Sequence, residues 1–82
     1  MVHDNIKKIR IARGITKRFI AKGIGVTETT YARIENGESK LDVERAKVIA
    51  VLLGVSITVF FDKKLTETVI KEIETVLTPK IG

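Results

Sequence analysis

Residues 16–37, TKRFIAKGIGVTETTYARIENG, constrain the fold more than any other stretch of this 82-residue chain. A threonine opens each half. Thr16 and Thr27 carry the short hydroxyl side chain that accepts from a free N–H in the first turn of a helix. The pattern predicts two short helices, 17–23 and 28–35. Between them Gly25 suits a tight turn, because a turn of this kind needs a residue that tolerates positive φ. The apolar residues fall where two crossed helices would touch. Phe19, Ile20 and Ile24 have the spacing of one inward stripe, and Tyr31 and Ile34 face inward together at i, i+3. Gly23 is unexpected inside a helix, where it costs about 1 kcal/mol relative to alanine; it reads as a frayed last turn.

The flanking residues extend the helical reading. Asp4 or Asn5 can cap a first helix over 6–13, with Ile6 and Ile9 inward and Gly14 at its end. Asn36 and Gly37 end the third helix, and a polar loop follows at 38–40. Asp42 caps a fourth helix, 43–53, whose inward stripe is Val43, Ala46, Ile49, Ala50 and Leu53. Residues 56–61, SITVFF, read either as a short fifth helix or as a strand, since Ile, Val and Phe favour sheet. Beyond Asp62 an amphipathic helix is expected over 65–77, capped by Thr66 and ended by Pro79. Its apolar residues are Val69, Ile70, Ile73, Val76 and Leu77. The expected fold class is all-α: a compact five-helix domain over 1–61 and an additional C-terminal helix within an extension, 62–82.

Several functions are disfavoured by composition. A domain this small buries roughly 60% of its unfolded surface, which leaves little room for a large substrate pocket. With no cysteine and one histidine, His3, there is neither a disulfide framework nor a zinc constellation. No nucleophile–base set, glycine-rich phosphate loop or paired carboxylate emerges, so no catalysis and no cofactor are expected. No apolar run approaches the ~20 residues of a membrane span, and a cytoplasmic protein is expected. Charge is more informative. Residues 1–40 hold nine Lys/Arg against four acids, whereas residues 41–82 hold six of each sign. The whole net charge of +5 therefore lies on the half that contains the paired helices. A polyanion such as DNA is the natural partner of such a surface.

Two short helices joined at a glycine form the pattern of a DNA-binding helix-turn-helix. The segment 6–61 further resembles the lambda-repressor-like (Cro/C1-type, Xre family) domain. Ile9-Arg10 with Gly14-Ile15-Thr16 matches the family's opening, and Ala21 the small residue where the second and third helices cross. Gly25 matches the turn, and Ile20, Ile24, Val26, Tyr31 and Ile34 occupy the usual apolar positions. Arg33-Ile34-Glu35-Asn36-Gly37 and Leu53-Gly54-Val55-Ser56 match the ends of the third and fourth helices.

The resemblance implies double-stranded DNA as partner, with the third helix entering the major groove N-terminus first. Tyr31 and Ile34 face inward, which leaves Thr27, Glu28, Thr29 and Arg33 as candidate base contacts. Arg33 suits a guanine edge or a phosphate, and Thr29 a thymine methyl or single hydrogen bonds. Glu28 accepts from cytosine N4 if it meets a base; otherwise it serves the helix dipole or pairs with Arg33. Thr16 and Lys17, at a helix N-terminus, are candidate phosphate contacts, as are Asn36 and Lys40 beside the recognition helix. The resemblance also implies an architectural ion pair between Arg10 and Glu35.

A single recognition helix covers few base pairs, so a homodimer on a pseudo-palindromic operator is expected. Val69, Ile70, Ile73, Val76 and Leu77 are the candidate dimerisation residues; the alternative is that their helix folds back over its own core. The expected function is a sequence-specific transcriptional regulator, a repressor by operator occupancy. The alternatives are a DNA-binding antitoxin, whose tail grips a toxin, and a protein-interaction module without DNA binding. A toxin or an anti-repressor is the protein partner these readings allow for.

Overall fold

The computed structural model describes residues 1–77, with side chains described as far as Thr75. Pro79, expected to end the last helix, lies outside the described residues. The described chain is entirely helical: α1 (Val2–Arg13), α2 (Lys17–Gly23), α3 (Glu28–Glu35), α4 (Val43–Leu53), a 3-10 helix (Ile57–Phe61) and α5 (Lys63–Leu77). The ambiguous SITVFF segment is therefore a helical turn, not a strand. Its Val59 and Phe60 are buried, and the short helix turns them into the core.

Capping sets most helix starts. Thr16 Oγ1 accepts from Phe19 N, Thr27 Oγ1 from Thr30 N, and Asp42 Oδ1 from Arg45 N. Each bond satisfies one of the amides that a helix start leaves unpaired. Two expected caps are otherwise employed. Helix α1 begins at Val2, upstream of Asp4 and Asn5, and Asn5 is buried with Nδ2 donating to Phe60 O at 2.8 Å. Helix α5 begins at Lys63. Asp62 Oδ1 accepts from Leu65 N, while Thr66, 1% exposed, donates to Val59 O. Both polar side chains thus tie a long helix to the 3-10 turn, because a buried amide or hydroxyl needs a partner more than an exposed helix start does.

One core unites these elements. Ile6, Ile9, Ile20, Tyr31, Ile49, Leu53 and Phe60 are almost fully buried, and Ile73 of α5 joins the same cluster. Val69 and Ile70 pack against it half-buried. Helix α5 thus folds back over its own protomer, along α1 and the 3-10 turn. Two residues expected in the core lie outside it: Phe19 is 53% exposed and Val43 60% exposed. Phe19 precedes fully buried Ile20 by one residue, about 100° of helix rotation, and so points to one side of the buried line, while Val43 is the first residue of α4.

The α2–α3 joint is built as the sequence requires. Gly25 adopts φ 72°, and Val26 N donates to Ala21 O across the turn. An L-residue disfavours that conformation by roughly 1–2 kcal/mol. Gly23 is a full helical residue, and its bare Cα is explained by packing: Leu52 of α4 occupies the space a β-carbon would need.

Candidate nucleic-acid interface

Helix α3 divides cleanly into two faces. Tyr31, Ile34 and Glu35 are buried, whereas Glu28, Thr29 and Arg33 are exposed. The inward face is held by an unusually well-buried charge pair. Arg10 Nε donates to Glu35 Oε2 at 2.6 Å and Arg10 Nη2 to Glu35 Oε1 at 3.1 Å. The Glu35 side chain is 1% exposed and that of Arg10 is 10% exposed. Arg10 Nη1 also donates to Ile15 O at 2.8 Å, a partner without a charge pattern to announce it. One guanidinium therefore joins α1, the end of α3 and the residue immediately before the α2 cap. The bidentate fork fits a carboxylate in only one orientation, so the pair sets the rotation of α3 as well as its distance.

Tyr31 belongs to the same buried group. It is fully buried, and its Oη has no hydrogen-bond partner among the described residues. Burial pushes the phenol well above its ordinary value, and the neighbouring Glu35 carboxylate adds to that, while Arg10 opposes it. Arg10 itself is raised, chiefly by its hydrogen bond to Glu35 and against the cost of burial.

The candidate contact residues fall into distinct situations. Glu28, Thr29 and Arg33 are free on the outer face; among the described residues Glu28 and Arg33 form no ion pair, so mutual pairing does not account for Glu28. Thr27 is also exposed, but its hydroxyl accepts from Thr30 N and donates to Thr30 Oγ1 at 2.9 Å. That leaves mainly its methyl group for a base. Thr16 is likewise occupied, as the α2 cap accepting from Phe19 N, and half-buried Lys17 follows it at the helix start. Asn36 is the C-terminal cap residue of α3 and is exposed. Lys40 is exposed in the loop beyond it. Gly37 shapes this loop: its φ is 78°, and the His3 ring lies against its Cα. His3 is therefore a half-buried packing residue, a role for which a lone N-terminal histidine gives no sequence signal.

The candidate dimerisation set is divided. Ile73 is committed to the protomer's own core, and Val69 and Ile70 are half-buried there. The side chains of Val76 and Leu77 lie outside the described residues. Among the described residues no group of histidine, cysteine and carboxylate side chains is placed to hold a metal. No helix there is long and apolar enough to cross a membrane.

The Helix-turn-helix family model matches residues 6–60. The chain belongs to the helix-turn-helix family. It is also 35% identical over 68 residues to a protein of Bacillus subtilis (strain 168) described as the uncharacterized HTH-type transcriptional regulator YqaF. That alignment covers 83% of this chain and 90% of the relative. No solved structure matches the chain. The family is one of DNA-binding proteins and not of enzymes. The matched segment ends within the 3-10 turn, just before α5, whose Ile73 belongs to the same core.

Proposed function

We propose that this helix-turn-helix protein is a sequence-specific, homodimeric transcriptional regulator that represses by occupying a pseudo-palindromic operator. The observation that carries the reading is the division of α3. Arg10 and Glu35 lock its inner face, and Glu28, Thr29 and Arg33 stand unpaired on its outer face. A helix so presented enters a major groove, where Arg33 reads a guanine edge and Thr29 a thymine methyl. Glu28 selects against phosphate proximity and for a cytosine amino group. Lys17, the α2 N-terminus, Asn36 and Lys40 bind phosphate on either side and set the register. The description of the B. subtilis relative as a transcriptional regulator supports the same assignment.

Selection of binding sites from genomic fragments with the purified protein tests the proposal. The expected result is a pseudo-palindrome whose affinity falls steeply with salt, because each neutralised phosphate releases counterions. Salt-insensitive or absent duplex binding would instead identify a protein-interaction module. Co-purification of a stoichiometric toxin would identify an antitoxin.

A further inference from the structure

Helix α1 touches both ends of the surface assigned to phosphate. Near one end, Arg10 donates to Ile15 O, just before the Thr16 cap and Lys17. At the other end stands His3. Its Cε1 and Nε2 lie 2.8 Å from the place a β-carbon on Gly37 would take, so the ring rests on the bare Cα of that residue. Gly37 follows Asn36 and opens the loop that carries Lys40. His3 and Arg10 are seven residues apart, which puts them on one side of α1 and about 10 Å apart along its axis. Ile6 between them is fully buried, so that side faces the protein interior.

The loop has few other supports. Gly37 N donates to Ile34 O, and Glu38 N and Ser39 N donate to Arg33 O, which ties the start of the loop to α3. Among the described residues the amides of Lys40 and Leu41 have no backbone partner. A groove of about 380 Å³, lined by His3, Gly37 and Lys40 and also by Met1, Val43 and Phe61, leaves open space beside the loop. Removal of the imidazole enlarges that space, and the loop is then free to move into it. The ring itself is poorly placed to meet a phosphate. Its side chain is 23% exposed, and Nε2 stands 3.5 Å from the Asp4 carboxylate.

We infer that His3 is a positioning residue for DNA binding. Packed on Gly37, it holds the loop so that Lys40 meets a phosphate, at a separation from the Lys17 contact that rigid α1 sets. The inference rests on the DNA-binding reading above. It extends that reading to a residue that precedes the segment matched by the family model, 6–60.

Duplex binding by the full chain, measured between about 0.05 and 0.5 M salt on the selected site, tests this. Lys40→Ala should reduce the salt slope by about 1 and the affinity about 5-fold at 0.15 M, the counterion contribution of one phosphate. His3→Ala should do the same, although it removes no lysine or arginine. The double variant His3→Ala/Lys40→Ala should lose no more than either single one, whereas His3→Ala/Lys17→Ala should lose both contributions. His3→Phe keeps a flat ring against Gly37 and should restore affinity to within about 2-fold. Thermal melts check that each variant is folded. In the free protein, hydrogen exchange at the Glu38 and Ser39 amides should quicken in His3→Ala and not in His3→Phe.

Unchanged affinity and slope in His3→Ala would overturn the inference. So would additive losses from His3→Ala and Lys40→Ala. A loss that His3→Phe does not restore would also overturn it, and would mark His3 as a direct phosphate contact. If the wild type binds duplex and Lys40→Ala leaves the slope unchanged, the positioning role falls while the DNA-binding reading stands. If the wild type binds no duplex, both fall together.

Discussion

Replacing Arg10 by methionine removes one partner of a buried charge pair and leaves the other in place. Glu35 would then keep its carboxylate at a site 1% exposed, with both bonds from the guanidinium gone. Breaking a buried pair in this way costs roughly 3–5 kcal/mol, because the remaining charge is neither solvated nor compensated. The bond to Ile15 O is lost as well, but that carbonyl belongs to a half-buried residue and water can replace the donor. A domain of this size has a total stability of about 4–12 kcal/mol, so Arg10→Met should remove about a quarter of it or more. The melting temperature should fall by at least about 12 °C, at ~4–8 °C per kcal/mol for a small domain. Urea and thermal unfolding followed by circular dichroism measure this directly. The double variant Arg10→Met/Glu35→Leu should recover most of the loss, since replacing both members of a buried pair by apolar groups is often close to neutral. Duplex affinity of the folded double variant then separates stability from orientation: without the fork, α3 is free to rotate, and specific binding should weaken at least 10-fold while the fold persists. A single variant that loses less than about 1 kcal/mol, or a double variant no more stable than the single, would refute the reasoning.

Tyr31 offers a pH signature. Its folded-state pKa lies well above the ordinary value of about 10, so the stabilisation it contributes is complete below pH 10 and is lost as pH rises beyond it. Relative to the wild type, Tyr31→Phe should therefore flatten the decline in stability between about pH 10 and 12, while changing stability at pH 7 by less than about 1 kcal/mol because Oη is unpaired; parallel alkaline curves would contradict this. Gly37→Ala should cost about 2 kcal/mol or more, from positive φ and from contact with the His3 ring, and adding His3→Ala should relieve only the contact part, which a double-mutant cycle on urea midpoints resolves. Arg33→Ala should lower discrimination at one or two base pairs by ~1–3 kcal/mol, whereas Lys17→Ala should weaken binding evenly and reduce the salt slope by about 1; equal losses on specific and random duplexes for both variants would show that Arg33 contacts only phosphate.

Local structure was legible wherever a single residue type has a single local use. Threonine or aspartate before a helix places the starts of α2, α3 and α4, and Gly54 marks the end of α4. The same rules misplaced Asn5 and Thr66. Both are good cap residues, and both are instead buried and bonded to carbonyls of the 3-10 turn. Periodicity alone likewise assigned Phe19 and Val43 to the interior, because a helical stripe shows which side a residue faces but not where the neighbouring element ends.

The paired-helix run, the charge gradient along the chain and the candidate reading face of α3 could be read before any packing was known, since each depends on spacing within a few helical turns or on a simple sum of charges. Tertiary structure alone decided three things. It placed α5 over α1 and the core, which turned Ile73 from a candidate dimer contact into a core residue. It brought Arg10 to the Ile15 carbonyl as well as to Glu35. And it gathered Met1, Val43 and Phe61, far apart in the chain, around one groove. The physical reason is common to all three: an apolar face or a hydrogen-bond donor specifies what kind of partner it needs, and only the packing of distant elements specifies which one it meets.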